Sequence, residues 1–230
     1  MTRSEFLKKA ALGAAFFAIG MCLAAWLSAK GEGGPARSLI AAAEAGDVAG
    51  LKRLLQDGVK VDARDERGRT ALLAATHANK IDAARALIAA GADVNAKDNI
   101  EDSPYLYAGA EGRNEILKMT LAAGADLKSV NRYGGTALIP AAHHGHPDTV
   151  AILLATKIDK DYVNKLGWTA LLEAVILGDG GRIHTRIVKL LVDAGANVNI
   201  ADKDGVTPLA HARSHKYREI VAILEAAGAR

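Results

Sequence analysis

Three histidines within four residues, His143, His144 and His146 of "AAHHGHPD", form the densest group of metal-ligating or proton-transferring side chains in the chain. Imidazoles bind zinc-like ions when they converge on one point. Adjacent helical residues do not face one another, and Gly145 with Pro147 predicts a helix end inside the cluster. A metal-handling or hydrolytic site on His143, His144 and His146 is therefore the secondary expectation. Surface recognition by His143 and His144 is the primary one. No Gly-x-Ser-x-Gly elbow, phosphate-cradling glycine loop or His-Glu-x-x-His motif accompanies them. The expected protein is not an enzyme and carries no cofactor.

The elements that place these histidines come from a repeat. Thr70, Ser103, Thr136, Thr169 and Thr207 begin matching segments, spaced 33, 33, 33 and 38 residues apart. Gly58, Gly91, Gly124, Lys157, Gly195 and Gly228 repeat with the same intervals. The unit is therefore 33 residues, with five more inserted between Thr169 and Gly195. Each Thr or Ser is a helix N-cap. A short alanine-rich helix such as "ALLAATHA" follows, then a second such as "DAARALIAA", then a glycine that ends it in a left-handed conformation. The second helices align in columns, Leu51, Ala84, Leu117, Val150, Val188, Val221 and Leu54, Leu87, Thr120, Leu153, Leu191, Leu224. Helices this short bury their apolar faces only by stacking on neighbouring units, which predicts one continuous core.

"GRTALLAATHANKIDAARALIAAGADVNAKD" and "DGVTPLAHA" resemble the ankyrin repeat pattern, with a Gly-x-Thr-Pro-Leu start and a Gly-Ala-Asp-Val-Asn end. The resemblance implies an all-α solenoid of stacked helix-turn-helix units with β-hairpin-like loops; the apolar run near the N-terminus is expected to add a leader helix before it. Its units fall at about 37–64, 65–97, 98–130, 131–163, 164–201 and 202–230. Departures from the pattern are expected to disturb 98–107 and 139–163. Glu101 and Lys157 stand for glycines, Pro140 falls inside a first helix, and Leu73, Leu106, Ile139, Leu172 and Ala210 replace the family's histidine. Without that histidine, the helix starts are expected to be held more by packing than by a hydrogen-bond network.

The resemblance also implies a non-catalytic protein-protein interaction module. Its partner would meet the hairpin tips and the exposed ends of the first helices. On this chain those positions include Arg67, Arg69, Ile100, Asp102, Arg132, Tyr133, His143, His144, Lys165, Leu166, Trp168, Ile176 and Leu177. Trp168 is the expected anchor, since its column elsewhere holds Arg69, Asp102, Gly135 and Val206. The insertion "GDGGRIHTR" reads as a loop extension, with Arg182, Ile183 and His184 as a possible contact.

Charge and leader set the setting. Of 29 basic and 26 acidic side chains, four and one lie in residues 1–30, so the other 200 residues carry 25 of each. A neutral repeat region argues against nucleic acid as the partner. Arg3, Lys8 and Lys9 precede Ala10–Ala29, a run of twenty residues without a charge, as in a signal peptide or signal anchor. Residues 1–30 are assigned to it and 31–36 to a linker. The basic start favours a cytoplasmic N-terminus with the rest translocated. The expected localisation is periplasmic, secreted or anchored in the inner membrane. Only the N-terminal segment would meet the membrane, and the solenoid is expected to be monomeric. The single cysteine, Cys22, excludes an intrachain disulfide.

Overall fold

A computed structural model describes residues 34–230, so the leader lies outside the described residues. Among the described residues, twelve helices form six antiparallel pairs. The inner helices are α1 (Pro35–Ala45), α3 (Ala71–His77), α5 (Pro104–Ala110), α7 (Leu138–His143), α9 (Ala170–Ile176) and α11 (Pro208–Ser214). The outer helices are α2 (Val48–Gln56), α4 (Ile81–Ala89), α6 (Asn114–Ala122), α8 (Pro147–Leu154), α10 (Arg182–Asp193) and α12 (Arg218–Ala226). Each inner helix packs on the next inner helix, and each outer on the next outer. The first helix begins at Pro35, two residues before the boundary expected from the repeat.

The stacking columns form the core. Leu51, Ala84, Leu117, Val150 and Val188 are fully buried, as are Leu87, Leu153, Leu191 and Leu224. Val221 and Leu54, in the terminal units, are only partly buried. Inner helices approach closely: a Cβ on Gly109 would sit 2.8 Å from the Ala137 Cβ. Alanine and glycine are what such spacing admits.

Between units, the chain folds into a hairpin closed by one Asp or Asn. The Asp65 Oδ1 accepts the Arg67 and Arg69 amides, and Asp98 does the same for Ile100 and Asp102. Asn131, Asn164 and Asp202 repeat the arrangement. The turn needs a left-handed residue just before its end. Gly68, Gly134, Gly167 and Gly205 supply it, and Glu101 adopts it at φ 66°. The hairpin at 98–102 thus keeps its regular bonds, at a backbone cost of about 1 kcal/mol.

Four of the five caps form as expected. Thr70, Ser103, Thr169 and Thr207 accept the amide three residues on. The helix starts therefore retain a hydroxyl cap without the family's histidine, beside the close packing of residues such as Leu72, Leu73 and Leu172. The exception is the fourth unit. Pro140 has no N–H to give the Thr136 carbonyl, whereas Ala74, Tyr107, Glu173 and His211 do in their units. The chain compensates with a tighter bond from the Ile139 amide to Thr136 O, 3.1 Å long. Helix α7 starts one residue late, and the buried Thr136 hydroxyl has no protein partner.

Lys157 departs from its column. It does not take the left-handed conformation of its glycine counterparts. Helix α8 ends at Leu154, and Thr156 makes the turn. Its hydroxyl donates to the Leu153 carbonyl at 2.6 Å and accepts the Ile158 amide at 3.1 Å. No left-handed strain arises there.

The insertion is also more than a loop. Helix α10 has 12 residues against nine in α4 and α6. Part of the added length is helix. The remainder is fixed from both sides: the Tyr217 hydroxyl donates to the Gly178 carbonyl at 2.8 Å, and the His184 Nε2–H donates to the His143 carbonyl at 3.1 Å.

These caps predict a contrast in stability. Replacing Thr169 by valine removes a cap and is expected to cost about 1 kcal/mol. Replacing Thr136 by valine removes a hydroxyl that caps nothing, and is expected to be neutral or stabilising. Urea unfolding of the two variants checks the difference.

Candidate functional site

The inner helices and hairpins of units three to five enclose a cleft of about 390 Å³ on the concave side. Its walls come from structurally equivalent positions. Tyr133 and Leu166 share one column at the hairpin tips with Ile100, which lies beside the cleft; the outer units carry Arg67 and Asp204 there. Tyr107, Pro140 and Glu173 occupy another, each the fourth residue after its cap, where the outer units carry Ala74 and His211.

Arg132 departs from its own column. The equivalent Asn99, Lys165 and Lys203 each donate to the carbonyl one unit back. Arg132 turns inward instead. Its guanidinium lies 3.6 Å from the Asp102 carboxylate and 5.1 Å from the centroid of the Tyr133 ring. Burial holds the Asp102 carboxyl above its ordinary range, with Arg132 opposing the shift.

Glu173 is the chemical centre of the cleft. It is a buried carboxyl on α9, and burial pushes its pKa up to about 7, with a hydrogen bond from Asn164 opposing the shift. The Asn164 Nδ2 donates to Oε1 at 2.8 Å, while Oε2 lies 3.8 Å from the His143 Nδ1. Burial holds the His143 pKa below its ordinary value, with the neighbouring His144 and His184 adding to the effect. Both effects favour the neutral imidazole.

The three clustered histidines do not converge. His143 faces Glu173. The His144 Nδ1–H donates to the Ala110 carbonyl at 2.8 Å. His146 lies over Gly112, where an added Cβ would come within 2.8 Å of its Nδ1. Among the described residues, no three His, Cys, Asp or Glu side chains are grouped to hold a metal.

Of the residues expected to bind a partner, Asp102, Arg132, Tyr133, His143, His144, Leu166 and Leu177 line this cleft. Arg67 and Arg69 line a separate, shallower groove with Arg37 and Glu44 at the first two units. There Arg69 is bound by Asp65 and Glu44. Ile100 is exposed beside the cleft, and Lys165 spends its ammonium on the Arg132 carbonyl. Trp168 and Ile176 are half-buried and outside the lining. Sequence reasoning missed Tyr107, Asn164 and Glu173. The signal for Glu173 was present: a carboxylate in a column otherwise filled by Ala74, Tyr107, Pro140 and His211.

Comparison with known proteins follows this geometry. The family pattern of ankyrin repeats, in three copies, matches residues 22–98 and 105–202, more than half the chain. The chain belongs to the ankyrin repeat family. It is similar to the ankyrin repeat domain ABAYE2397 of Acinetobacter baumannii AYE, at 61% identity and a TM-score of 0.82, covering 84% of this chain and 98% of that one. It is also similar to a chain in the structure of the predatory endopeptidase Bd0816 from Bdellovibrio bacteriovorus in complex with immunity protein Bd3460. That match has 25% identity and a TM-score of 0.71, covering 83% of this chain and 97% of that one. The ankyrin repeat protein YahD of Escherichia coli (strain K12) is 47% identical over 57 residues, which is 25% of this chain and 28% of that protein. This ankyrin repeat chain thus spans about a quarter of that curated relative. Among its described residues no helix is long and apolar enough to cross a membrane.

The raised Glu173 pKa has a definite sign. A carboxyl that holds its proton more tightly when folded contributes stability at low pH, and loses it as pH rises from about 4.5 through about 7. Replacing Glu173 by glutamine is expected to leave stability unchanged at pH 4. At pH 8 the variant should exceed the parent by at least about 1 kcal/mol. Denaturant unfolding across this range measures the gap.

Proposed function

We propose that this ankyrin repeat chain is a non-catalytic protein-interaction module whose partner seats on the concave cleft of units three to five. The observation that carries the reading is a run of exposed apolar side chains in mid-array. Ile100, Tyr133, Leu166 and Leu177 are 52%, 56%, 47% and 42% exposed, against charged residues at the outer tips. Clustered exposed apolar surface with a polar rim marks an interaction site. A preformed face lowers the ordering cost of binding. The even charge of residues 31–230 agrees with a protein rather than nucleic acid as partner. The similarity to a chain of a peptidase–immunity protein complex supports the same class of function.

The proposal extends to location. Residues 1–30 serve as a signal peptide or signal anchor, and the repeats work outside the cytoplasm, in the periplasm or beyond, as a monomer. The basic start and the twenty uncharged residues Ala10–Ala29 support this.

Affinity capture from native envelopes with quantitative mass spectrometry tests the surface. The Tyr133→Ala, Leu166→Ala double variant is expected to lose its partner, each residue contributing on the order of 2 kcal/mol if it is an anchor. Trp168→Ala, compared in the same assay, is expected to retain it. Equal recovery by the double variant and the parent would contradict the assignment.

A further inference from the structure

We infer that the cleft receives a cationic side chain, an arginine or lysine projecting from the partner, and that Glu173 is its counter-charge. The inference rests on the reading of this face as a protein-binding surface, and it names the chemistry at the centre of that surface. Glu173 is 8% exposed in its side chain, yet it lines a cleft that reaches solvent. One oxygen is held by Asn164. The other makes no hydrogen bond, its nearest basic neighbour being the His143 Nδ1 at 3.8 Å. A carboxylate so placed is desolvated with only one hydrogen bond in compensation, which costs free energy that an entering cation would return.

The surrounding lining points to the same occupant. Asp102 and Glu111 also face the cleft, while Arg132 is its one permanently charged cation and is already turned to Asp102. The cleft is thus short of positive charge. Tyr107, Tyr133 and Leu177 give apolar and aromatic walls along which the methylenes of a long basic side chain can lie. The end units offer no equivalent setting: the position of Glu173 there holds Ala74 and His211, and the hairpin acids Asp65 and Asp202 are already bound by Arg69 and His211.

A random heptapeptide library selected against the full chain tests this. Peptides are scored as cleft binders when Tyr133→Ala abolishes their capture. The expected cleft binders share one arginine or lysine. Exchanging that residue for its neutral isostere, citrulline or norleucine, should weaken binding at least tenfold. Glu173→Gln should weaken the parent peptide similarly, yet leave the neutral peptide unchanged. Asp102→Asn provides a second variant for the same comparison. Cleft binders lacking a cation, or indifferent to the neutral exchange, would overturn the inference and leave the protein-binding surface intact. Finding no cleft binder at all would count against both.

Discussion

Everything in this molecule depends on the inability of one helix pair to stand alone. Inner helices α3, α5, α9 and α11 have seven residues, and the outer ones about nine. Helices of that length are marginal in water. Each pair is apolar on the faces turned to its neighbours, so folding requires a neighbour. The answer is a stack in which Leu51, Ala84, Leu117, Val150 and Val188 form one buried column along the array. The same geometry forces small residues between inner helices and lets the hairpins stand side by side. A concave surface follows from the packing rather than from any added device.

Stacking also decides which positions are free to vary. A residue in a core column is packed by the units on both sides, while a tip or inner-helix residue facing the concavity meets its neighbours mainly through single hydrogen bonds. The cleft lies where those free positions depart furthest from the array's norm. Tyr107, Pro140 and Glu173 replace the small or paired residues of the end units, and Arg132 gives up its link to the preceding hairpin. Further irregularities fall in units three and four. The Thr136 cap is lost to Pro140, and the turn at Lys157 is rebuilt by Thr156. At Lys128 a further link is missing. Elsewhere in that column the side chains of Asp62, Asn95, Asp161 and Asn199 accept an amide from the next unit. Local rules broken together, with the fold unharmed, mark the part of a protein under functional demand.

The sequence alone made the repeat legible because a 33-residue period places the same chemistry in the same environment five times over. Cap, columns and end glycines could be read from any one unit and checked against the rest. The cleft was half legible. Hairpin and helix-end positions identify exposed residues such as Tyr133, Leu166 and His143. They do not reveal that a residue one turn deeper, such as Glu173, is both buried and open to the cleft. That depends on how far neighbouring units splay. Trp168 was weighted because its column varies from unit to unit, yet variation does not orient a side chain, and it sits outside the cleft lining. The turn at Lys157 was read by analogy with glycine, when a hydroxyl one residue earlier offered another solution.

Native-state hydrogen exchange on the full chain carrying Leu117→Ala tests the central claim most directly. A buried leucine truncated in mid-array costs about 2–5 kcal/mol. If stability is a sum of units and nearest-neighbour interfaces, amide protection falls most in the unit of Leu117 and the two beside it, and declines toward both ends. An equal loss of protection from residue 34 to residue 230 would contradict the account.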